Sequence, residues 1–127
     1  MSPIAAALAD RNWRVLVVED EPMLAFVLEE LLIEAGFAIA GVTARLEKAL
    51  AIIESGACDA AILDANLGGV SAAPAAAALA ARGLPCLIVS GYSPGQLPSA
   101  FSGALCLQKP CKPDRLIEAL SSILPAR

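Results

Sequence analysis

Four places in this sequence put a polar, chemically capable side chain directly behind a short apolar run. Glu19, Asp20 and Glu21 follow VLVV, Asp64 follows AAIL, Ser90 follows CLIV, and Lys109 follows ALCLQ. Carboxylates that converge without a cation repel one another, so two or three at one point call for a hard divalent ion. Oxygen donors with room for waters and a phosphate suit Mg²⁺ or Mn²⁺, whereas zinc favours sulfur and imidazole. A lysine ammonium and a serine hydroxyl beside such an ion suit phosphate oxygens. Taken singly, each feature has an ordinary explanation. An acidic triplet before a helix compensates its dipole, Asp64 ahead of Asn66, Gly68 and Gly69 is turn chemistry, Ser90 before Gly91 is a turn, and Lys109 before Pro110 is a surface lysine. What sets them apart is that all four stand at the same relative place in a repeating pattern.

That pattern alternates β-rich apolar runs with segments of helical period, which argues for a parallel sheet covered by helices. The runs are VLVV, FAIAGV, AAIL, CLIV and ALCL. Pro22 to Glu34 sets Leu24, Val27, Leu28, Leu31 and Leu32 on one helical stripe, with Pro22 in the first turn and Gly36 at the end. Further helices are predicted over RLEKALAIIE, over the alanine-rich PAAAALAAR with Leu79 as its one large anchor, and from about Pro113 to Leu124. Between the fourth and fifth strands, Pro94, Gly95, Pro98 and Gly103 predict a helix that is short or irregular. Right-handed crossovers narrow such a chain to a few doubly wound orders. The expected fold is α/β, flavodoxin-like (βα)5, with a five-stranded parallel sheet of order 2-1-3-4-5. Functional groups then gather beyond the C-terminal ends of strands 1 and 3.

Composition removes several classes of function. The 127 residues suit one domain, expected over 13–127 behind an arm of residues 1–12, and the apolar content of 57% with mean hydropathy +0.68 favours a packed core. Nine Lys and Arg against thirteen Asp and Glu leave a net charge of −4, the wrong sign for binding nucleic acid. There is no histidine, which excludes Ser-His and Cys-His nucleophiles and histidine-ligated zinc. Cys58, Cys86, Cys106 and Cys111 form no Cys-x-x-Cys pair, and no targeting or membrane-spanning segment is evident. The expectation is a cytoplasmic protein whose cysteines are small buried hydrophobes.

With VLVVEDEP, AAILDANL, LIVSGY and LQKP in this order, the chain resembles the receiver domain of two-component response regulators. The SGY followed by a Pro/Gly-rich segment and KP is similar to a stand-alone alphaproteobacterial subgroup known by a Phe-Ala-Thr-Gly-Tyr signature, although the Phe-Ala-Thr part is missing. The resemblance implies that Asp64 accepts a phosphoryl group from a phosphohistidine on a sensor kinase or phosphotransferase. It implies a metal site of Asp20, Asp64, Glu19 acting mainly through a water, and the backbone carbonyl of Asn66. Ser90 and Lys109 would hold the phosphoryl group, and the Lys109–Pro110 bond would be cis. The protein would be a switch, not an enzyme, supporting its own Mg²⁺-dependent phosphorylation and dephosphorylation. It would signal as a monomer or weak homodimer through a downstream protein, with the first helix docking the kinase.

Several positions depart from the family. Gly68 and Ala72 stand where a Pro and a Gly are common downstream of the acceptor, so the loop from Asp64 to Ser71 is expected to take another shape. Cys106 replaces the switch aromatic three residues before the lysine, which leaves Cys106 itself and Tyr92 as candidates for a switch or gatekeeper. An exposed apolar patch is expected along the fourth helix, fifth strand and fifth helix. Two other functions compete. One is a receiver-like binding module that works without phosphorylation. The other is a small phosphohydrolase of the haloacid dehalogenase type, disfavoured because Asn66 stands where that chemistry needs a second Asp.

Overall fold

The structure is a computed structural model that describes residues 13–91, 101 and 103–124. The arm of residues 1–12, Tyr92 and nearly all of the segment between the fourth and fifth strands lie outside the described residues.

The strands are β1 (Arg14–Val18), β2 (Ala38–Thr43), β3 (Ala60–Asp64), β4 (Cys86–Ser90) and β5 (Leu105–Gln108). They form one sheet in the order β2-β1-β3-β4-β5, and every pairing is parallel, as the alternation predicts. The helices are α1 (Pro22–Glu34), α2 (Leu46–Glu54), α3 (Ala73–Ala81) and α4 (Pro113–Ile123). β3 is buried along its whole length, which is why AAIL reads as a continuous apolar run and not as an alternation.

Alternate residues along each strand supply two cores, one on either face of the sheet. Val15, Val17, Ile62 and Val89 pack with Leu28 and Leu32 of α1 and Leu116 and Leu120 of α4. On the opposite face, Leu16, Leu63 and Ile88 meet Ile53 of α2 and Leu79 of α3. The α2 layer sits close at Gly41, where an added Cβ would come 2.7 Å from Ile52 Cδ1. At the lower edge, Arg14 grips Asp59 through two guanidinium bonds of 3.0 and 2.9 Å and tethers the starts of β1 and β3.

The ends of α1 follow local chemistry. Pro22 occupies the first turn, and Gly36, at φ 98°, lets the chain reverse so that Phe37 N–H donates to Leu32 carbonyl. The expected stripe on this helix needs correction. Leu28 and Leu32 are buried and Leu24 and Leu31 half-buried, but Val27 is exposed together with Met23, Phe26 and Ile33. Apolar residues on both sides of the stripe widen it beyond the face that packs, so the periodicity gives the inner face but not its edge.

Among the described residues, four of the six exposed large apolar side chains are on α1, and Leu105 is the one from β5. Nearly all of the segment expected to hold the fourth helix of the apolar patch lies outside the described residues. The cysteines are all free, and only Cys58 is fully buried; Cys86 and Cys106, on β4 and β5, and Cys111, in the turn before α4, are half-buried.

Candidate functional site

Parallel strands point every C-terminal end to one edge, and the pairing of Val18 with Leu63 sets the ends of β1 and β3 side by side. Glu19, Asp20 and Asp64 therefore converge, with one carboxylate oxygen from each within 4.8 Å of the others. Lys109 arrives from the end of β5, held there by its N–H donating 2.7 Å to the Ser90 carbonyl. Its Nζ lies 3.0 Å from Asp64 Oδ2, 3.3 Å from Glu19 and 3.5 Å from Glu21 Oε2. The Lys109–Pro110 peptide bond is cis. An open cleft of about 300 Å³ over this cluster is lined by Asp20, Glu21, Asp64, Asn66, Gly68, Gly69, Gly91 and Lys109.

The electrostatics are those of crowded carboxylates around one ammonium. Burial pushes the Glu19 carboxyl up to about 7; the Glu21 N–H, donating 3.0 Å to Glu19 Oε2, pulls the other way, and neighbouring Asp64 adds to the rise. For Asp20 the burial penalty is outweighed by hydrogen bonding with Asp64 and Glu19, so its carboxyl lies below the usual range. Burial alone would lower Lys109, but the hydrogen bond and charge of Asp64, then Glu19, hold its ammonium above the ordinary lysine range. The donor set is all oxygen, with three carboxylates and no sulfur or imidazole, which fits a hard divalent cation.

The segment after Asp64 is a miniature antiparallel hairpin, Asn66–Leu67 against Val70–Ser71. Gly68 and Gly69 form its two-residue turn at φ 61° and 95°, the left-handed values that such a hairpin turn demands. Asn66 N–H donates 3.1 Å to Asp64 Oδ1, and Asn66 Oδ1 accepts from Gly69 N–H at 2.6 Å. One acceptor oxygen is thus oriented by backbone and the other by Lys109. A Cβ on Gly68 would stand 3.8 Å from Asp20 Oδ2, so the turn forms the wall of the cleft beside the acidic cluster.

Of the residues singled out in the sequence, Glu19, Asp20, Asp64, Asn66 and Lys109 are brought together. Ser90 ends β4 next to Gly91 of the cleft, with its side chain buried. Cys106 lies on β5 opposite Ile88, packed toward the α2 and α3 face, and is not among the residues lining the cleft. Tyr92 lies outside the described residues. Glu21 belongs to the acidic triplet singled out in the sequence, but it was given no ligand role, and Gly68 and Gly69 are cleft residues that sequence reasoning had not placed in the site. The signal for the glycines was present, because Gly-Gly between Leu67 and Val70 is a hairpin turn in a form that needs only two flanking pairs. The contact of Glu21 with Lys109 spans most of the chain and has no local signature.

A five-stranded doubly wound parallel sheet with an acidic cluster and a lysine at its carboxyl edge defines a flavodoxin-like α/β domain with an oxygen-donor site at the strand ends. The chain belongs to the response regulator receiver domain family, whose model matches residues 15–121. That family consists of signalling switches of two-component systems and not of classical enzymes. The chain is similar to SdrG from Sphingomonas melonis Fr1, at 40% identity and TM-score 0.75 over 90% of this chain and 98% of that one. The BeF3-activated conformation of SdrG from Pseudomonas melonis Fr1 aligns at 38% identity and TM-score 0.71 over 94% and 99% of the two chains. The response regulator PhyR from Brucella abortus shares the fold at 24% identity and TM-score 0.74; 89% of this chain aligns and spans 48% of that protein. No match was found among curated proteins. No described helix is long and apolar enough to cross a membrane.

Proposed function

We propose that residues 13–127 form a phosphorylatable receiver in which Asp64 accepts a phosphoryl group from the phosphohistidine of a cytoplasmic sensor kinase or phosphotransferase. The observation that carries this reading is the placement of Lys109 Nζ 3.0 Å from Asp64 Oδ2 and 3.3 Å from Glu19, beside a carboxylate cluster of metal-binding size. The likeness to a chain described in a BeF3-activated conformation supports it further.

In the transfer, a carboxylate oxygen of Asp64 forms the new P–O bond. The P–N bond of the donor breaks, and its electron pair leaves with the imidazole nitrogen. Both reactants are anionic, so charge neutralisation and positioning supply most of the catalysis. Lys109 offers its ammonium to the phosphoryl oxygens, and the Asn66 N–H keeps the carboxylate turned toward the cleft. Asp20, Asp64, Glu19 through a water, and the Asn66 carbonyl would hold Mg²⁺ or Mn²⁺, which supplies Lewis-acid neutralisation of the phosphoryl oxygens when bound. Ser90, buried at the rim, is the hydroxyl that would turn to the phosphoryl group. The product adds roughly two negative charges at the edge of the sheet, enough to bias a neighbouring segment between two arrangements.

The exposed Met23, Phe26, Val27 and Ile33 on α1 support docking of the phosphodonor protein there, with the signal passing onward to a further protein. Intact mass after incubation with Mg²⁺ and acetyl phosphate tests the chemistry. A phosphate adduct that disappears in Asp64→Asn and in EDTA is expected. No adduct under any condition would refute phosphorylation and leave the binding module.

A further inference from the structure

Glu21 is a carboxylate without a structural task of its own. It occupies the N-cap position of α1, yet its side chain makes no capping bond; the local work is done by its backbone, whose N–H donates to Glu19 and whose carbonyl accepts from Ala25 N–H. The side chain turns to the cleft and places Oε2 3.5 Å from Lys109 Nζ. Its exposure separates it from the other two partners of that ammonium. The Glu21 side chain is 62% exposed, against 6% for Asp64 and 3% for Glu19. The charges thus form a gradient, with Asp64 and Glu19 at the floor, Lys109 above them and Glu21 at the mouth. Lys109 is the only cation among the described residues that line the cleft.

We infer that Glu21 is a specificity-determining gate for the proposed phosphorylation, a carboxylate at the mouth that draws in the divalent cation, holds back anionic phosphodonors in proportion to their charge, and shares Lys109 until the phosphoryl group claims it. This rests on the reading of Asp64 as phosphoacceptor. The physical basis is one negative charge a few ångströms from the path of every incoming ion. In largely aqueous surroundings such a charge alters encounter and binding by about threefold per unit of ligand charge at low ionic strength. A divalent cation and a dianionic acyl phosphate must therefore feel Glu21 with equal size and opposite sign. A monoanionic phosphoramidate must feel it less.

The test is Glu21→Gln in the full chain, with Glu21→Asp as the conservative control. Mg²⁺ affinity is read from the Gly68 and Gly69 amide resonances, and labelling rates are read by intact mass at saturating Mg²⁺. In Glu21→Gln, Mg²⁺ affinity should fall several-fold while labelling by acetyl phosphate rises several-fold and labelling by phosphoramidate rises by about threefold or less. Glu21→Asp should restore both, and ionic strength near 1 M should compress all differences, because the screening length is then about 3 Å. Affinity and rate falling together would show a merely structural role and overturn the inference, as would no change in either. Failure of the unsubstituted protein to label at all would instead overturn the phosphoacceptor reading.

Discussion

In the metal-free protein, Glu19 should make stability fall as pH rises through neutrality. Its carboxyl is 4% exposed and titrates at about 7 in the fold, against about 4.5 ordinarily. A group that holds its proton more tightly when folded contributes its full stabilisation below the unfolded value and loses it as pH climbs through the folded value. The window therefore runs from about pH 4.5 to pH 8, and the loss over it is about 3 kcal/mol. The other shifted groups of the cluster act outside this window. Asp20 is lowered, so its contribution is lost only in acid below the usual aspartate range, and Lys109 is raised, so its contribution disappears only at strongly alkaline pH. Urea denaturation in EDTA at intervals from pH 5 to 8.5 measures the slope, and Glu19→Gln should flatten it. A cation that needs Glu19 ionised must displace the same proton, so Mg²⁺ affinity should weaken about tenfold between pH 8 and pH 6. A flat stability profile in the unsubstituted protein, or an equal slope in Glu19→Gln, would refute the claim that burial of this carboxyl dominates the site's response to pH.

Gly69→Val should cost about 1 to 3 kcal/mol, because a β-branched residue is forced to φ 95° and the turn that holds Asn66 is strained; the urea midpoint reports it, and the Asn66 amide resonance should move with it. Phe26→Asp should leave stability within about 0.5 kcal/mol, since the ring is 59% exposed. The same substitution should slow phosphotransfer from a cognate kinase while leaving acetyl phosphate labelling unchanged, which a comparison of the two donors checks directly.

What could be read from the residues divides along physical lines. β3 and β4 were legible because both strands are buried on both faces, which demands unbroken runs such as AAIL and CLIV, and because Pro22 and Gly36 punctuate α1 by backbone rules that hold in any context. Crossover handedness narrowed the strand order to a few doubly wound choices, of which 2-1-3-4-5 was the one expected, and that order sets the ends of β1 and β3 side by side so that Glu19, Asp20 and Asp64 meet. The inner face of α1 was legible at Leu24, Leu28, Leu31 and Leu32, but its edge was not, since the exposed Met23, Phe26, Val27 and Ile33 are as apolar as Leu28 and Leu32. Where that edge falls is decided by the sheet and α4, against which Leu28 and Leu32 pack.

The same distinction explains the site. Residue types led to the expectation of a cation and a phosphate, but they did not announce the hairpin that forms one wall of the cleft or the third carboxylate on Lys109. A pair such as Glu21 with Lys109 exists only because β1 and β5 end at one level, and the charge of Glu21 acquires a function only through its exposure relative to Asp64 and Glu19. Buried and exposed carboxylates of identical chemistry thereby divide the work. On the proposed reading, those at the floor, with Glu19 held up to about 7, would set when a cation can bind, and the one at the mouth would set which ions approach. Substituting Glu19 should therefore change the pH dependence of cation binding, and substituting Glu21 should change its salt dependence. If either substitution altered both, the two carboxylates would be acting as one undivided cluster.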